Sequence, residues 1–168
     1  MIFRNAARTF HTFLATFLIS ACMAVAAPSS APVPSKLPSN LTGNWTVTSA
    51  KVDTAGVAAY LPDDPALLGL RLVVTGDSLT MAGHTCESPR LATEQARFSD
   101  LIARTYEVSP AEMGVTSADS TRPTHFITCG KGDIGPSYER GSWIAEIESN
   151  TIAMNWFDSV LLFLQRTR

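Results

Sequence analysis

Three segments at the end of the chain, residues 142–148, 151–157 and 160–166, carry its strongest pattern. In the first two, apolar side chains recur at every second position, which is typical of β-strands because successive side chains point to opposite faces of a sheet. Two residues, Ser149-Asn150 and then Asp158-Ser159, separate each segment from the next, and this is the length of a tight hairpin turn. The pattern predicts a three-stranded antiparallel meander, so the fold must be built on a sheet.

The preceding part of the chain carries further strand patterns separated by turn residues. The clearest is a hairpin in which Gly76-Asp77 joins two alternating segments. A weaker segment around Leu91 and Gln95 is ambiguous, because these two residues with Phe98 and Ile102 also fit a helical spacing. The predicted strands outside the meander are residues 45–52, 70–75, 78–82, 91–98 and 124–129. With the meander they predict an all-β fold, a single antiparallel eight-stranded up-and-down barrel.

One or two short helices are predicted beside this sheet. Asp63 or Asp64 suits a helix N-cap, and the proline that follows suits the first helical position. This helix is expected to plug an open end of the barrel with Leu67 and Leu68. A second short helix is predicted over residues 99–106.

The first residues have the pattern of an export signal. Arg4 and Arg8 give a positive start, an apolar run without acidic residues follows, and the small residues Ala24 and Ala26 mark a cleavage site. The expected location is therefore the periplasm or the outside of the cell. The predicted organisation is a signal peptide over residues 1–26, a Pro/Ser-rich linker over 27–40 and one folded domain over 41–168.

The three cysteines have two different interpretations. Cys22 ends the sequence Ile-Ser-Ala-Cys, which resembles a bacterial lipobox and offers lipidation at Cys22 as an alternative to soluble export. Cys86 and Cys129 form an even pair in an oxidising compartment, so a disulfide is predicted. His84 and His125 lie close to these cysteines in sequence, and a zinc site is the less favoured alternative.

Composition and motifs argue against several classes of function. Without Arg4 and Arg8, 11 of the 13 basic residues remain against 15 acidic ones, a net charge of about −4, and no basic tract indicates nucleic-acid binding. Residues 130–135 match GxGxxG, but a proline follows and strands flank them, which favours a Gly-rich turn over a dinucleotide site. No hydrolase or metalloprotease motif is present. We therefore expect no catalytic residue, no cofactor and no metal.

Two ends of the predicted sheet carry a resemblance to a known superfamily. Gly43-x-Trp45 at the start of the first strand and Arg166 at the end of the last resemble the calycins, the lipocalin-like barrels. In that superfamily such an arginine packs over such a tryptophan and closes one end of the barrel. The resemblance implies this closure for Trp45 and Arg166. The chain is shorter than true lipocalins, and their middle motif is not recognisable, so no ligand carries over.

The first functional hypothesis is an exported, non-enzymatic and monomeric protein that holds a small apolar molecule inside the barrel. One alternative is a module that binds an envelope protein, such as an inhibitor of a lytic enzyme or protease, through loops over residues 109–123 and 130–141 or through the Pro-rich N-terminal arm. Another is a structural envelope lipoprotein, in contact with the membrane only through a lipidated Cys22. The candidate ligand-binding residues of the interior are Trp143, Ile147, Met154, Trp156, Leu162 and Leu164.

Overall fold

The computed structural model describes residues 37–53, 58–116, 118–137 and 141–167. Within them, ten strands form one antiparallel sheet, accompanied by one helix. The predicted signal peptide, Cys22 and most of the predicted linker lie outside the described residues. The strands are β1 (Gly43–Lys51), β2 (Arg71–Val74), β3 (Ser78–Met81), β4 (His84–Glu87), β5 (Arg90–Arg97), β6 (Thr121–Thr128), β7 (Lys131–Gly132), β8 (Ser142–Glu148), β9 (Thr151–Trp156) and β10 (Val160–Thr167), and the helix is α1 (Phe98–Tyr106).

The sheet has the strand order β5-β6-β8-β9-β10-β1-β2-β3-β4-β7. The first and last long strands are neighbours, because β1 pairs with β10 and places Trp45 opposite Arg166. The sheet is curled, since Leu79 of β3, Ile144 of β8 and Leu162 of β10 belong to one buried cluster. The described residues therefore form a barrel-like sheet whose edges in this order are β5 and β7. The predicted all-β antiparallel class is confirmed at this level.

The two edge regions share one register. β4 and β5 are separated by two residues, and so are β6 and β7. Glu87 lies opposite Lys131 in the ladder of β4 and β7, and Arg90 lies opposite Thr128 in the ladder of β5 and β6. From Glu87 to Arg90 the sequence advances by three residues, and from Lys131 to Thr128 it goes back by three, so the two antiparallel ladders have the same register. Between these two ladders, the N–H of Gly130 donates to the carbonyl of Glu87 at 2.9 Å.

Helix α1 covers the outer face of part of the sheet. It buries Phe98, Leu101, Ile102 and Tyr106, whose spacing of three and four residues places them on one side of the helix. These side chains form a second buried cluster, separate from the inner one, with residues of β8, β9 and β10. The helix ends at Glu107, which adopts a left-handed conformation and donates its N–H to the carbonyl of Ala103. The helix predicted over residues 99–106 is thus present.

The helix predicted near residue 63 is wrong, because residues 62–63 and 65–69 form turns instead. Leu67 and Leu68 both donate their N–H groups to the carbonyl of Asp64, at 2.9 and 3.1 Å. The chain then returns to β1, since the N–H of Gly69 donates to the carbonyl of Val47, so one turn is all that fits. Leu67 is buried in the inner cluster, whereas Leu68 is exposed. Of the two leucines, only Leu67 packs against the inner cluster.

Asp63 fastens this loop to β1 and is expected to make stability depend on pH. The hydroxyl of Ser49, and then the N–H of Ala50, donate to its carboxylate and hold the pKa of Asp63 below its usual value of 3.8. Because the folded pKa is depressed, this stabilisation is present above pH 3.8 and is lost as the pH falls through the folded pKa. Asp63→Asn, which tolerates the left-handed backbone here (φ 52°), should cost less than about 1 kcal/mol at pH 7.

Urea unfolding of wild type and Asp63→Asn across the pH range measures this effect. The difference in free energy of unfolding should shrink as the pH is lowered through the pKa of Asp63. Asp119→Asn serves as the control, since Asp119 is exposed in the loop before β6. A difference that stays constant with pH would contradict a role for the charge of Asp63.

Candidate binding cleft

The inner face of the sheet is occupied by a contiguous core. One cluster contains side chains from every described strand except β7, and its fully buried members include Leu72, Leu79, Ile144, Met154 and Leu162. Two loops add to it, because Ile134 from the segment after β7 and Leu67 from the segment before β2 are buried in the same cluster. A small barrel is narrow enough for its own side chains to fill. Among the described residues, the inner face has the character of a packed core.

The six residues predicted to line this interior do not share one cluster. Met154, Trp156, Leu162 and Leu164 belong to the inner cluster. Trp143 and Ile147 instead belong with the outer cluster under α1. The indole N–H of Trp143 donates to the hydroxyl of Thr105 on the helix at 3.1 Å. Alternation along β8 correctly separates two faces. Because α1 packs on the outer face, both faces carry apolar side chains, and alternation alone does not tell which of them faces the interior.

A cleft of about 440 Å³ opens at the end of the sheet where β9 turns into β10. Three connections contribute to it: the loop between β1 and β2, the turn between β3 and β4, and the turn after β9. Its floor includes Trp156, which is almost fully buried. We call it the aromatic cleft. It is lined by Tyr60, Ala66, Leu67, Leu70, Ala82, His84, Trp156, Phe157 and Asp158.

Three rings meet in the aromatic cleft. The ring of His84 lies 4.4 Å from that of Phe157, with 35° between their planes, and 5.4 Å from that of Trp156 in an edge-on arrangement. Trp156 and Phe157 are also edge-on, at 4.9 Å. The Nδ1 atom of His84 lies 2.5 Å from the Oδ1 atom of Asp133, which follows β7. This contact fixes the imidazole ring, whose side chain is 39% exposed.

Asp158 is the charged side chain that lines the aromatic cleft. It occupies the turn between β9 and β10 together with Ser159, and both have positive φ, 56° and 59°. Positive φ at two central residues is the signature of a turn that matches the twist of antiparallel strands, and aspartate tolerates it better than most residues. The turn therefore places a carboxylate at the rim. Among the described lining residues there is neither a lysine nor an arginine.

A hydrogen-bonded chain of polar groups lies at the opposite end of the sheet. His125 is buried, with Nδ1 2.8 Å from the hydroxyl of Thr93 and Nε2 2.7 Å from Oε1 of Glu146. The other carboxylate oxygen of Glu146 accepts from the side-chain amide of Asn40 at 2.7 Å. The chain satisfies the buried imidazole and ties residue 40 to the sheet. Sequence reasoning missed it, because His125 and Glu146 meet only through the pairing of β6 with β8.

Arg166 packs on Trp45 at this same end. The guanidinium carbon of Arg166 lies 4.1 Å from the centroid of the Trp45 ring. The guanidinium donates to the carbonyl of Thr42 at 2.7 Å and to the carbonyl of Asn40. A Cβ on Gly43 would lie 2.7 Å from Nη1 of Arg166, and Gly43 has φ 135°, so glycine permits the close approach. The Gly-x-Trp pattern thus has a local physical cause.

The predicted disulfide between Cys86 and Cys129 is present. It joins β4 to the residue after β6, so the two thiols are not available to a metal. His84 and His125, the other members of the alternative zinc set, contact different carboxylates, Asp133 and Glu146. Residues 130–135 contain β7, which pairs with β4, and no helix begins there. Their glycines serve the turn and the ladder.

Comparison of the chain with protein-family models, with curated proteins and with solved structures returned no match. In the described part of the chain, no helix is long and apolar enough to cross a membrane.

Proposed function

We propose that the curled sheet is a closed, eight-stranded barrel of the calycin type. The shared register supports this: if β4 with β5, and β6 with β7, are counted as two bent strands, ten strands become eight and the two edges become one ladder. A two-residue interruption of this kind is an ordinary way to bend a strand in a small barrel. The contact of Arg166 with Trp45 at one end also fits the superfamily.

The function we propose is that of an exported, non-enzymatic module that binds an envelope protein at the aromatic cleft. The single observation that carries it is the packed inner face, because a ligand inside the barrel would have to displace fully buried Leu, Ile and Met side chains. In the aromatic cleft, by contrast, the rings of Tyr60, His84 and Phe157 are only partly buried. Aromatic side chains are enriched at protein-binding surfaces. The pattern of an export signal and the disulfide support an envelope location.

Site-specific photo-crosslinking in the native host tests this proposal. The photoreactive aromatic residue p-benzoylphenylalanine replaces Tyr60 at the aromatic cleft or, as a matched control, the exposed Thr80 on the outer face of β3. A light-dependent adduct with one envelope protein is expected from position 60 and not from position 80. The absence of an adduct at position 60, or the same adducts from both positions, would overturn it.

A small apolar molecule is the second candidate occupant, and the size of the aromatic cleft favours it. A volume of about 440 Å³ lies within the range of small-molecule sites. Native mass spectrometry of protein purified from its own host distinguishes this case. A retained non-protein mass that is lost in Phe157→Ala would assign the cleft to a small molecule. Wild type without added mass favours the protein partner.

A further inference from the structure

The aromatic cleft combines two properties that a neutral apolar guest would not require. His84, Trp156 and Phe157 bring three ring systems together with centroid distances of 4.4 to 5.4 Å. The faces of the tryptophan and phenylalanine rings carry partial negative charge and attract cations. Phe157 is partly exposed, and the His84 side chain is 39% exposed, so both rings offer surface to a guest.

Carboxylates of the described residues lie beside the aromatic cleft. Asp158 stands at its rim and also lines a second cleft of about 300 Å³ beside it. Asp133 lies against His84 on the other side. Lys51, the basic side chain near the end of β1, is engaged with Asp63 at 3.7 Å. Among the described residues that line the two clefts there is no lysine or arginine, and the Nδ1 atom of His84, which also lines the aromatic cleft, lies 2.5 Å from a carboxylate oxygen of Asp133.

We infer that the aromatic cleft takes a cationic side chain, an arginine or lysine, that a partner protein inserts between the rings and Asp158. This rests on the proposed protein-binding function and names the chemistry of the contact. The guest's methylene groups would pack on Leu70 and Phe157, and its charged end would lie near the carboxylate of Asp158. Charge complementarity selects this occupant over an apolar side chain of similar length.

Binding of N-acetyl-arginine amide to the exported chain, followed by amide NMR, tests the inference. N-acetyl-citrulline amide is the matched probe, since it has nearly the same shape without the charge. Arginine amide should bind about 3- to 10-fold more tightly than citrulline amide, with the largest shifts at Phe157 and Asp158 and weaker binding in added salt. Asp158→Asn should remove most of this preference, because asparagine keeps the positive φ of the turn while losing the charge.

Asp119→Asn is the control, because it removes the same charge from an exposed position on another loop. It should leave the preference unchanged. Equal binding of the two amides, shifts that map elsewhere, no binding of either amide, or equal effects of the two variants would overturn the inference. Crosslinking from position 60 could still succeed in each of these cases, so failure of the cation site and failure of the protein-binding proposal are distinguishable.

Discussion

Trp45→Ala is expected to lower the free energy of unfolding by about 3–5 kcal/mol, the range for removing a large buried aromatic side chain. Trp45 is almost fully buried in the inner cluster. Its indole N–H donates to the carbonyl of Leu41 at 2.8 Å, and its ring supports the guanidinium of Arg166. The substitution therefore opens a cavity and removes the surface on which Arg166 rests. Urea unfolding followed by circular dichroism measures the change.

Arg166→Met measures the contribution of the guanidinium group separately from that of the buried Trp45 side chain. Methionine keeps much of the side-chain length, so the loss should be limited to the contact with Trp45 and the hydrogen bonds to residues 40 and 42. A loss of about 1–2 kcal/mol is expected from these terms. Arg71→Met is the matched control, because Arg71 is exposed on β2, and should change stability by less than about 0.5 kcal/mol. Equal effects of the two arginine substitutions would show that the contacts of Arg166 with Trp45 and with residues 40 and 42 do not stabilise the fold.

The parts of the fold that the sequence predicts are those fixed by local pattern. β8, β9 and β10 follow from alternation and two-residue turns, and α1 follows from its apolar spacing. β4 and β7 could not be found in this way. β7 has two residues, one of them a glycine, and becomes a strand only because Cys86 and Glu87 lie opposite it. Pairing with β4 therefore overrides the low strand propensity of these two residues.

Only part of the candidate site could be predicted from the sequence, because its residues come together through contacts between distant segments. Alternation gives two faces for β8, but the outer position of Trp143 depends on where α1 packs. The aromatic cleft depends on three separate connections, and it brings His84 beside Trp156 and Phe157 although His84 is far from both in the chain. The disulfide, in contrast, followed from the number of cysteines and the export pattern, because two thiols in an oxidising compartment have few alternatives.

Replacing both cysteines, Cys86→Ala with Cys129→Ala, is expected to lower the free energy of unfolding by about 4 kcal/mol. The two residues are 43 positions apart, so the disulfide closes a loop that contains β5, α1 and β6. In the chain-entropy account, the bond stabilises the protein chiefly by restricting the unfolded chain, and a loop of this length gives that magnitude. Urea unfolding of the oxidised wild type and of the double variant measures the difference.

Reduction provides an independent route to the same comparison. Wild type treated with dithiothreitol should unfold at nearly the same urea concentration as the double variant, whereas the reductant should leave the double variant unchanged. Hydrogen exchange should accelerate most in β4 and β7, since Cys86 lies in the short ladder that these strands share. Unchanged stability of reduced wild type would contradict the role assigned to the bond. Equal acceleration of hydrogen exchange throughout β8–β10 would show that the pair of β4 and β7 does not open independently of the rest of the sheet.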